Sequence, residues 1–471
     1  MSGSRWDPSA PVTTAAGARR RSVRAAVVGV GTVGLHRAVT FDDADVDVVG
    51  YDVDESVVAK YRRGVDATGA VGDARVAESD CSFTTDSACI RDADVVFVAV
   101  PTRHDTETRR SLPTVRAAAE TVGEQLTPDT TVILESTVPP GGTSDVFTPT
   151  LEATANMTAG EEFAVAYSPA RLSPGNREGD ARNPTKLVAA EQRSVARDVA
   201  ALYERVFESV HVVRDPAIAA AAKCVENVYR DVTIALVNEL AAALDALDLA
   251  VDDVLDAAAT KWNVPRLDPG LVGGTCLPDD PHLFADRVER AGGSTPLVRA
   301  ARAVNEAVPE RVAETTVAAL ADRETRTNPA RDVGERERSE ADATLRGSGA
   351  SGDEATVLLL GLAYKPDVAD LSGTRCDVVA ARLAKRGIDV VGYDPLVDAA
   401  HADRALSVDV RSARPFENVD GVVVLVGHSA FDDLTLDDVA ATNDVPPVVV
   451  DVPRSFDHGH SSRPDVVYRC P

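Results

Sequence analysis

In Gly273-Gly274-Thr275-Cys276-Leu277-Pro278-Asp279-Asp280-Pro281 a thiol follows two glycines and precedes two prolines. Bare glycines let a backbone come close to a ligand, and proline suits the first position of a helix, where its missing amide would be unpaired anyway. The pattern predicts a helix running to about Ala291 and ending at Gly292-Gly293. A cysteine at a helix N-terminus faces the positive end of the dipole, which lowers its pKa from about 8.5 and favours the nucleophilic thiolate. Asp279 and Asp280 oppose that shift, so a nearby Lys or Arg is expected. The same residues also read as a tight turn around a buried free cysteine.

A second constellation lies upstream. Lys223, Glu226, Asn227 and Arg230 fall at i, i+3, i+4 and i+7 and share one stripe of a long helix predicted from Asp215-Pro216 to about Leu249. Ile218, Val225, Val228, Val232, Leu236 and Leu240 supply its apolar positions. A plain solvated face would look similar, but the chain holds only six lysines, at 60, 186, 223, 261, 365 and 385, and one of them stands here beside an Asn. Another helix, about Asp252 to Thr260, leads through Pro265-Arg266 into the cysteine stretch.

The N-terminal part carries a further pattern. Val23 to Gly29 reads as a buried strand that runs into Gly29-Val30-Gly31-Thr32-Val33-Gly34 and a helical pattern; a second strand, Val46 to Tyr51, ends at Asp52. This is the dinucleotide fingerprint in its setting: glycines for the turn and the pyrophosphate, a helix N-terminus for the phosphate charge, a carboxylate for the ribose hydroxyls. Asp52 in place of an Arg favours NAD over NADP. The strands Asp94 to Val100, Thr130 to Glu135 and Phe163 to Tyr167 end in Pro101-Thr102, Ser136-Thr137-Val138-Pro139 and Ser168-Pro169-Ala170-Arg171-Leu172. Ligands collect beyond the carboxyl ends of such strands, so Pro101, Thr102 and Thr137 are cofactor candidates, and Arg171, Leu172, Gly175 and Lys186 are candidates for contacting an anionic substrate.

Residues 322–355 hold no aromatic residue and almost no large aliphatics, and read as an exposed linker. Beyond it Thr356 to Gly361, Val390 to Tyr393, Asp420 to Gly427 and Val448 to Asp451 make a second small parallel sheet, with Leu362-Ala363-Tyr364-Lys365-Pro366 after its first strand and a helix around Cys376 to Arg386. His428, at a strand end, reads equally as a general base and as a structural or nucleotide contact. The expected architecture is α/β: two Rossmann-like doubly wound parallel-sheet domains, 23–215 and 356–471, joined by a central long-helix domain, 216–320, with a tail 1–22 and a linker 321–355.

The formal charge of −26 argues against nucleic acid or an anionic membrane as partner. Acidity spread along the whole chain, with few large aromatics, fits a protein kept soluble in high salt. The six cysteines have no zinc-like spacing and are too sparse for a disulfide scaffold, so no metal is expected and a reducing cytoplasm fits. Arg19-Arg20-Arg21 before Ala25-Ala26-Val27-Val28 superficially matches a twin-arginine signal, but that apolar run enters the glycine fingerprint, and no stretch approaches the roughly 20 apolar residues of a membrane span.

With the cysteine stretch, the Lys223 helix, the glycine fingerprint and Gly361-Leu362-Ala363-Tyr364-Lys365-Pro366 in this order, the chain resembles the UDP-glucose/GDP-mannose dehydrogenase family from about Val23 to Arg454. Within it, the 225–236 and 276–281 segments look most like the UDP-N-acetyl-D-mannosamine dehydrogenase branch. The resemblance implies a four-electron oxidation of the sugar C6 alcohol to a carboxylate with two NAD molecules in turn, UDP-glucose and UDP-N-acetylglucosamine being the alternative substrates. It implies Cys276 as the thiol that captures the aldehyde, Lys223 as stabiliser of oxyanions, Asn227 as positioner of the reacting oxygen and Asp280 as holder of the water. Arg230, Arg266, Gly273, Gly274 and Lys365 would meet the sugar nucleotide, the central helices a second copy in a homodimer, and the C-terminal half the uridine nucleotide. Three positions depart from the family: Ala170 stands where it has Glu after Pro169, Ser372 where it has Arg, with Arg375 close by, and Thr275 where the branch commonly has His. Ala170 and Ser372 motivate a second reading, a paralogue that binds NAD and a nucleotide sugar with impaired catalysis. A third, a two-electron hydroxy-acid dehydrogenase using Lys223, gives Cys276 no task.

Overall fold

The computed structural model describes residues 23–102, 112–171, 184–247, 249–327, 355–413, 415–441, 445–456 and 465–471. The tail 1–22, Leu172, Gly175 and most of the expected linker lie outside the described residues. Two compact units divide the chain, one from residues up to Val228 with Asp279–Thr295, the other from Tyr229–Pro278 and Pro296–Pro471.

The first unit is built on an eight-stranded sheet of β1 (Arg24–Val28), β2 (Asp47–Tyr51), β3 (Ser82–Thr84), β4 (Val95–Val98), β5 (Thr131–Leu134), β6 (Ala164–Tyr167), β7 (Lys186–Ala190) and β8 (Val210–Val213), in the order β3-β2-β1-β4-β5-β6-β7-β8. Its central strands are buried on both faces and so read as continuous apolar runs. Side chains alternate between two cores: Val27, Phe97 and Ile133 enter one, Val28, Val98 and Leu134 the other. The expected all-parallel sheet needs one correction, because β7 pairs with β6 antiparallel and β8 then follows β7 in parallel.

The second unit carries a six-stranded, wholly parallel sheet of β9 (Thr356–Leu360), β10 (Asp389–Tyr393), β11 (Asp409–Val410), β12 (Gly421–Val424), β13 (Val448–Asp451) and β14 (Val467–Arg469), ordered β11-β10-β9-β12-β13-β14. The helix Pro296–Thr327 packs beside it and carries helical structure past residue 321, where the linker was expected to begin. The segment 216–320, expected as one domain, is shared: the helix Pro216–Asp245 passes from one unit into the other, and Asp279–Thr295 belongs to the first.

The two sheets repeat one local design. Strands β2 and β10 have the same sequence, Asp-Val-Val-Gly-Tyr, each followed by Asp. In the first unit Gly29 N–H donates to the Tyr51 carbonyl at 2.9 Å and Val30 N–H to Asp52 Oδ2 at 2.9 Å. In the second, Gly361 N–H donates to the Tyr393 carbonyl at 2.9 Å and Leu362 N–H to Asp394 Oδ2 at 2.8 Å. The mid-strand glycine serves both: a Cβ on Gly50 would stand 2.9 Å from Val30 and one on Gly392 3.0 Å from Leu362, so a side chain at either place would press on the turn above it.

Candidate functional site

In the first unit the glycine loop has the build of a dinucleotide cradle. Gly29 has φ +84, and a Cβ on Gly34 would stand 1.9 Å from the Gly29 carbonyl oxygen, so helix Thr32–Asp42 closes onto the loop only as glycine allows. Gly31 differs. It is exposed with nothing within 4 Å of where a Cβ would be, so its bareness serves an approach from outside rather than internal packing. The helix starts at Thr32 and Val33 with no side-chain cap and no acidic residue in its first turn, which leaves first-turn amides for an anion. Asp52 is fixed by Val30 N–H and, at its other oxygen, by Asp54 N–H at 3.0 Å. Ser136 Oγ donates to the Val100 carbonyl at 2.8 Å, joining the β4 and β5 loops that carry Pro101, Thr102 and the buried Thr137. These residues fit NAD.

The same unit brings together three of the expected catalytic residues. Lys223 and Asn227 are one turn apart on helix Pro216–Asp245, and Asp280 opens helix Asp280–Arg290. The Asn227 side-chain amide donates to the Asp280 carboxylate. Asp280 is only 2% exposed; burial pushes its carboxyl up to about 6, against the pull of the Lys223 ammonium and the Asn227 amide. A carboxylate poised there is suited to take a proton near neutral pH.

Arg171 is held by Glu226, with Nη2 to Oε1 at 2.8 Å, and by the Thr185 carbonyl. Lys186, expected as a candidate for contacting an anionic substrate, is instead 2% exposed, with Nζ donating to Glu135 at 2.8 Å and to the Ser168 and Pro169 carbonyls at 3.1 and 3.2 Å. It belongs to a buried group that the sequence did not reveal. Glu135, fully buried, also accepts from Arg37 Nε at both carboxylate oxygens, each at 3.0 Å, and from the Tyr203 hydroxyl, while the Arg37 guanidinium lies over the Phe41, Tyr203 and Phe207 rings. The one available signal was Arg37 itself, a charge at an apolar position of its helix.

In the second unit Cys276 is exposed and sits in a turn. The expected placement of Cys276 at a helix start is corrected here, since the helix starts only at Asp280, with Asp279 as its N-cap. Gly273 and Gly274 are required by packing: a Cβ on Gly274 would be 2.9 Å from the Tyr364 ring, and one on Gly273 3.0 Å from the Gly373 carbonyl oxygen. Lys365 is half-buried, its ammonium 5.7 Å from the Tyr364 ring centre and its pKa lowered by burial. Arg230 is exposed. Arg266 is committed within the unit, to Asp252 at 2.9 Å, Asp256 at 2.6 Å and Asp268 at 2.8 Å. His428 is a structural residue: it is buried, Nδ1 accepts Asp367 N–H at 2.9 Å, and Nε2 therefore carries the proton it shares with Asp394 at 3.0 Å.

Comparison with known proteins divides the chain into three consecutive segments. Residues 23–207 match the NAD binding domain of the UDP-glucose/GDP-mannose dehydrogenase family, 217–307 its central domain and 358–458 its UDP binding domain. Protein CapL of Staphylococcus aureus is 32% identical over 86% of this chain and 90% of its own length. The UDP-N-acetyl-D-glucosamine 6-dehydrogenase of Pseudomonas aeruginosa is 30% identical over 94% and 99%. Among solved structures, the UDP-D-ManNAc dehydrogenase of Pyrococcus horikoshii superposes with a TM-score of 0.78 at 25% identity, covering 95% of this chain and 99% of that one.

Proposed function

Because the chain belongs to the UDP-glucose/GDP-mannose dehydrogenase family and carries its NAD-binding domain, we propose that it is an NAD-dependent nucleotide-sugar 6-dehydrogenase acting on a UDP-N-acetylhexosamine. UDP-N-acetyl-D-mannosamine is the substrate favoured by the 225–236 and 276–281 segments; UDP-N-acetylglucosamine is favoured by the Pseudomonas relative, and UDP-glucose is the further alternative. The observation that carries the reading is the buried Asp280, bonded to Asn227 beside Lys223, with a carboxyl poised near neutrality.

NAD, when bound, accepts one hydride in each of two successive oxidations. Lys223 stabilises the alkoxide of the C6 alcohol, and Asn227 orients that oxygen. The Cys276 thiolate adds to the resulting aldehyde as a thiohemiacetal, whose oxidation leaves a thioester on the sulfur. Asp280 removes a proton from water as it attacks; the C–S bond breaks, releasing the carboxylate and restoring the thiolate. Per sugar, two hydrides and three protons leave and one water enters. Arg171, Leu172, Arg230, Arg266, Gly273, Gly274 and Lys365 are the proposed contacts with the nucleotide sugar. Tyr229, Leu236 and Leu240, which are 65, 53 and 42% exposed, share one apolar stripe of the helix Pro216–Asp245 that a second copy would cover. Among the described residues no helix is long and apolar enough to cross a membrane. We place the enzyme in the cytoplasm.

The test is a screen of UDP- and GDP-sugars for NAD reduction by the purified chain in molar potassium chloride. Two NADH per sugar is expected, and Cys276→Ser should halt the reaction before uronate is released; an unchanged yield from that variant would overturn the covalent route. The impaired-paralogue reading rests on Ser372 and on Ala170, whose N–H donates to the Glu135 carbonyl at 3.0 Å, while the Glu135 carboxylate is sealed by Arg37 and Lys186 and offers no substitute acid. Turnover of any nucleotide sugar refutes it.

A further inference from the structure

We infer that Arg375 is a positioning residue for the Cys276 thiol, fastening the cysteine stretch to the loop that carries Lys365; this rests on Cys276 being the nucleophile of the proposed reaction. Arg375 Nε donates to the Val272 carbonyl at 2.8 Å, bridging 103 positions of sequence. Gly274 N–H donates to the Gly373 carbonyl at 3.0 Å. The two segments therefore meet at two hydrogen bonds either side of Gly273, and Cys276 lies two residues past the second.

Packing makes this junction tight. Gly373 has φ +65, and a Cβ there would stand 2.4 Å from the Gly274 carbonyl oxygen. The Tyr364 side chain fills the space over Gly273 and Gly274. The loop is anchored in turn to its own sheet: Thr374 Oγ1 donates to the Leu362 carbonyl at 2.7 Å, and Tyr364 N–H to the Asp370 carbonyl at 3.1 Å. Val272 is 2% exposed, so its carbonyl is a fixed point rather than a mobile one. An arginine suits this task because its planar fork donates from Nε in a set direction; a lysine ammonium offers charge without that geometry. Arg375, the N-cap residue of the helix Cys376–Ala384, thus acts on the thiol from the protein side, which separates it from a stand-in for the substrate-contacting arginine that Ser372 replaces.

The test uses the full chain with Arg375→Ala, Arg375→Lys and Gly373→Ala. Site-resolved alkylation of Cys276 by iodoacetamide, read by peptide mass spectrometry against Cys81, Cys89 and Cys470, should change severalfold in all three. The kcat for the nucleotide sugar should fall about tenfold or more with KM nearly unchanged, as expected for a misplaced reacting group. Arg375→Lys should fail to rescue. A raised KM with unchanged kcat and unchanged alkylation, or rescue by lysine, would overturn the inference in favour of direct substrate contact. Gly373→Ala keeps the question open to refutation should Arg375→Ala not fold. Alkylation needs no turnover, so it reads the strut even if no sugar is oxidised, whereas an unchanged NADH yield from Cys276→Ser would refute the covalent route whatever Arg375 does.

Discussion

Asn227 donates its side-chain amide to the carboxylate of Asp280, and the pair lies one helical turn from Lys223. Burial alone would hold Asp280 protonated to still higher pH; the amide and the ammonium bring it back to about 6. Two outcomes follow for this residue.

The base form of Asp280 is populated above about pH 6, so kcat should fall as pH drops through that value with the slope of one proton. Asp280→Asn should slow thioester hydrolysis by about 10²–10⁴-fold. For stability the sign is opposite. The folded pKa lies above the ordinary 3.8, so the fold holds an extra proton between those values and loses stability as pH rises through them. Asp280→Asn should therefore unfold later than wild type at neutral pH, by on the order of 2 kcal/mol, with the gap closing as pH falls below about 6. A variant less stable at neutral pH than wild type would contradict this account.

Gly31 and Gly34 should respond differently to alanine. The Gly34 Cβ, 1.9 Å from the Gly29 oxygen, forces the loop and its helix apart, and Gly34→Ala should cost at least about 1–3 kcal/mol. Gly31→Ala meets open space and should stay within about 0.5 kcal/mol of wild type while losing NAD affinity. Thermal unfolding and NAD titration read the two effects. Equal NAD affinity of Gly31→Ala and wild type would remove the pyrophosphate from that spot.

Glu135→Gln takes away the anion facing Arg37 and Lys186 and should destabilise by about 3–5 kcal/mol at neutral pH. Burial, with Arg37 adding to it, holds Lys186 below its ordinary value, so the fold binds fewer protons than the unfolded chain and stability rises with pH above neutrality. Without Glu135 to oppose that shift Lys186 gives up its proton at still lower pH, so the rise should begin below neutrality at the same one-proton slope, and the gap between variant and wild type should narrow as pH climbs toward about 7. Unfolding curves with a constant gap would show that Lys186 does not titrate in the fold.

Leu236→Asp tests the apolar face. The side chain is 53% exposed in the single chain, so folding should be spared while the dissociation constant of a dimer rises at least about tenfold. Light scattering that finds wild type monomeric at micromolar concentration would refute the homodimer.

The glycine fingerprint, Asp52 and the central strands were legible because each is a local pattern with its own physical cause: a positive φ, a helix start, an apolar run. The β7 and β8 strands were not, since one begins at Lys186 and the other is the half-exposed Val-His-Val-Val. Cys276 was expected at a helix start because Pro278 permits one, yet the first helical residue is Asp280. Buried charge was the larger omission. Arg37, Glu135 and Lys186 are paired only by tertiary contacts across 98 and 51 positions, which no local pattern announces. Arg375 was considered only as a substitute for the arginine missing at 372, because a bond to the Val272 carbonyl carries no local signature.

Two identical strands in one polypeptide set a problem of assembly. Asp47–Tyr51 and Asp389–Tyr393 present the same edge to a neighbour, so each is a competent mispairing partner for the other's sheet. Synthesis from the N-terminus resolves the ambiguity, because the first copy is enclosed between β1 and β3 long before the second leaves the ribosome. Dilution from denaturant releases both copies together, and the recovered yield should fall below that of the nascent chain through exchanged strands.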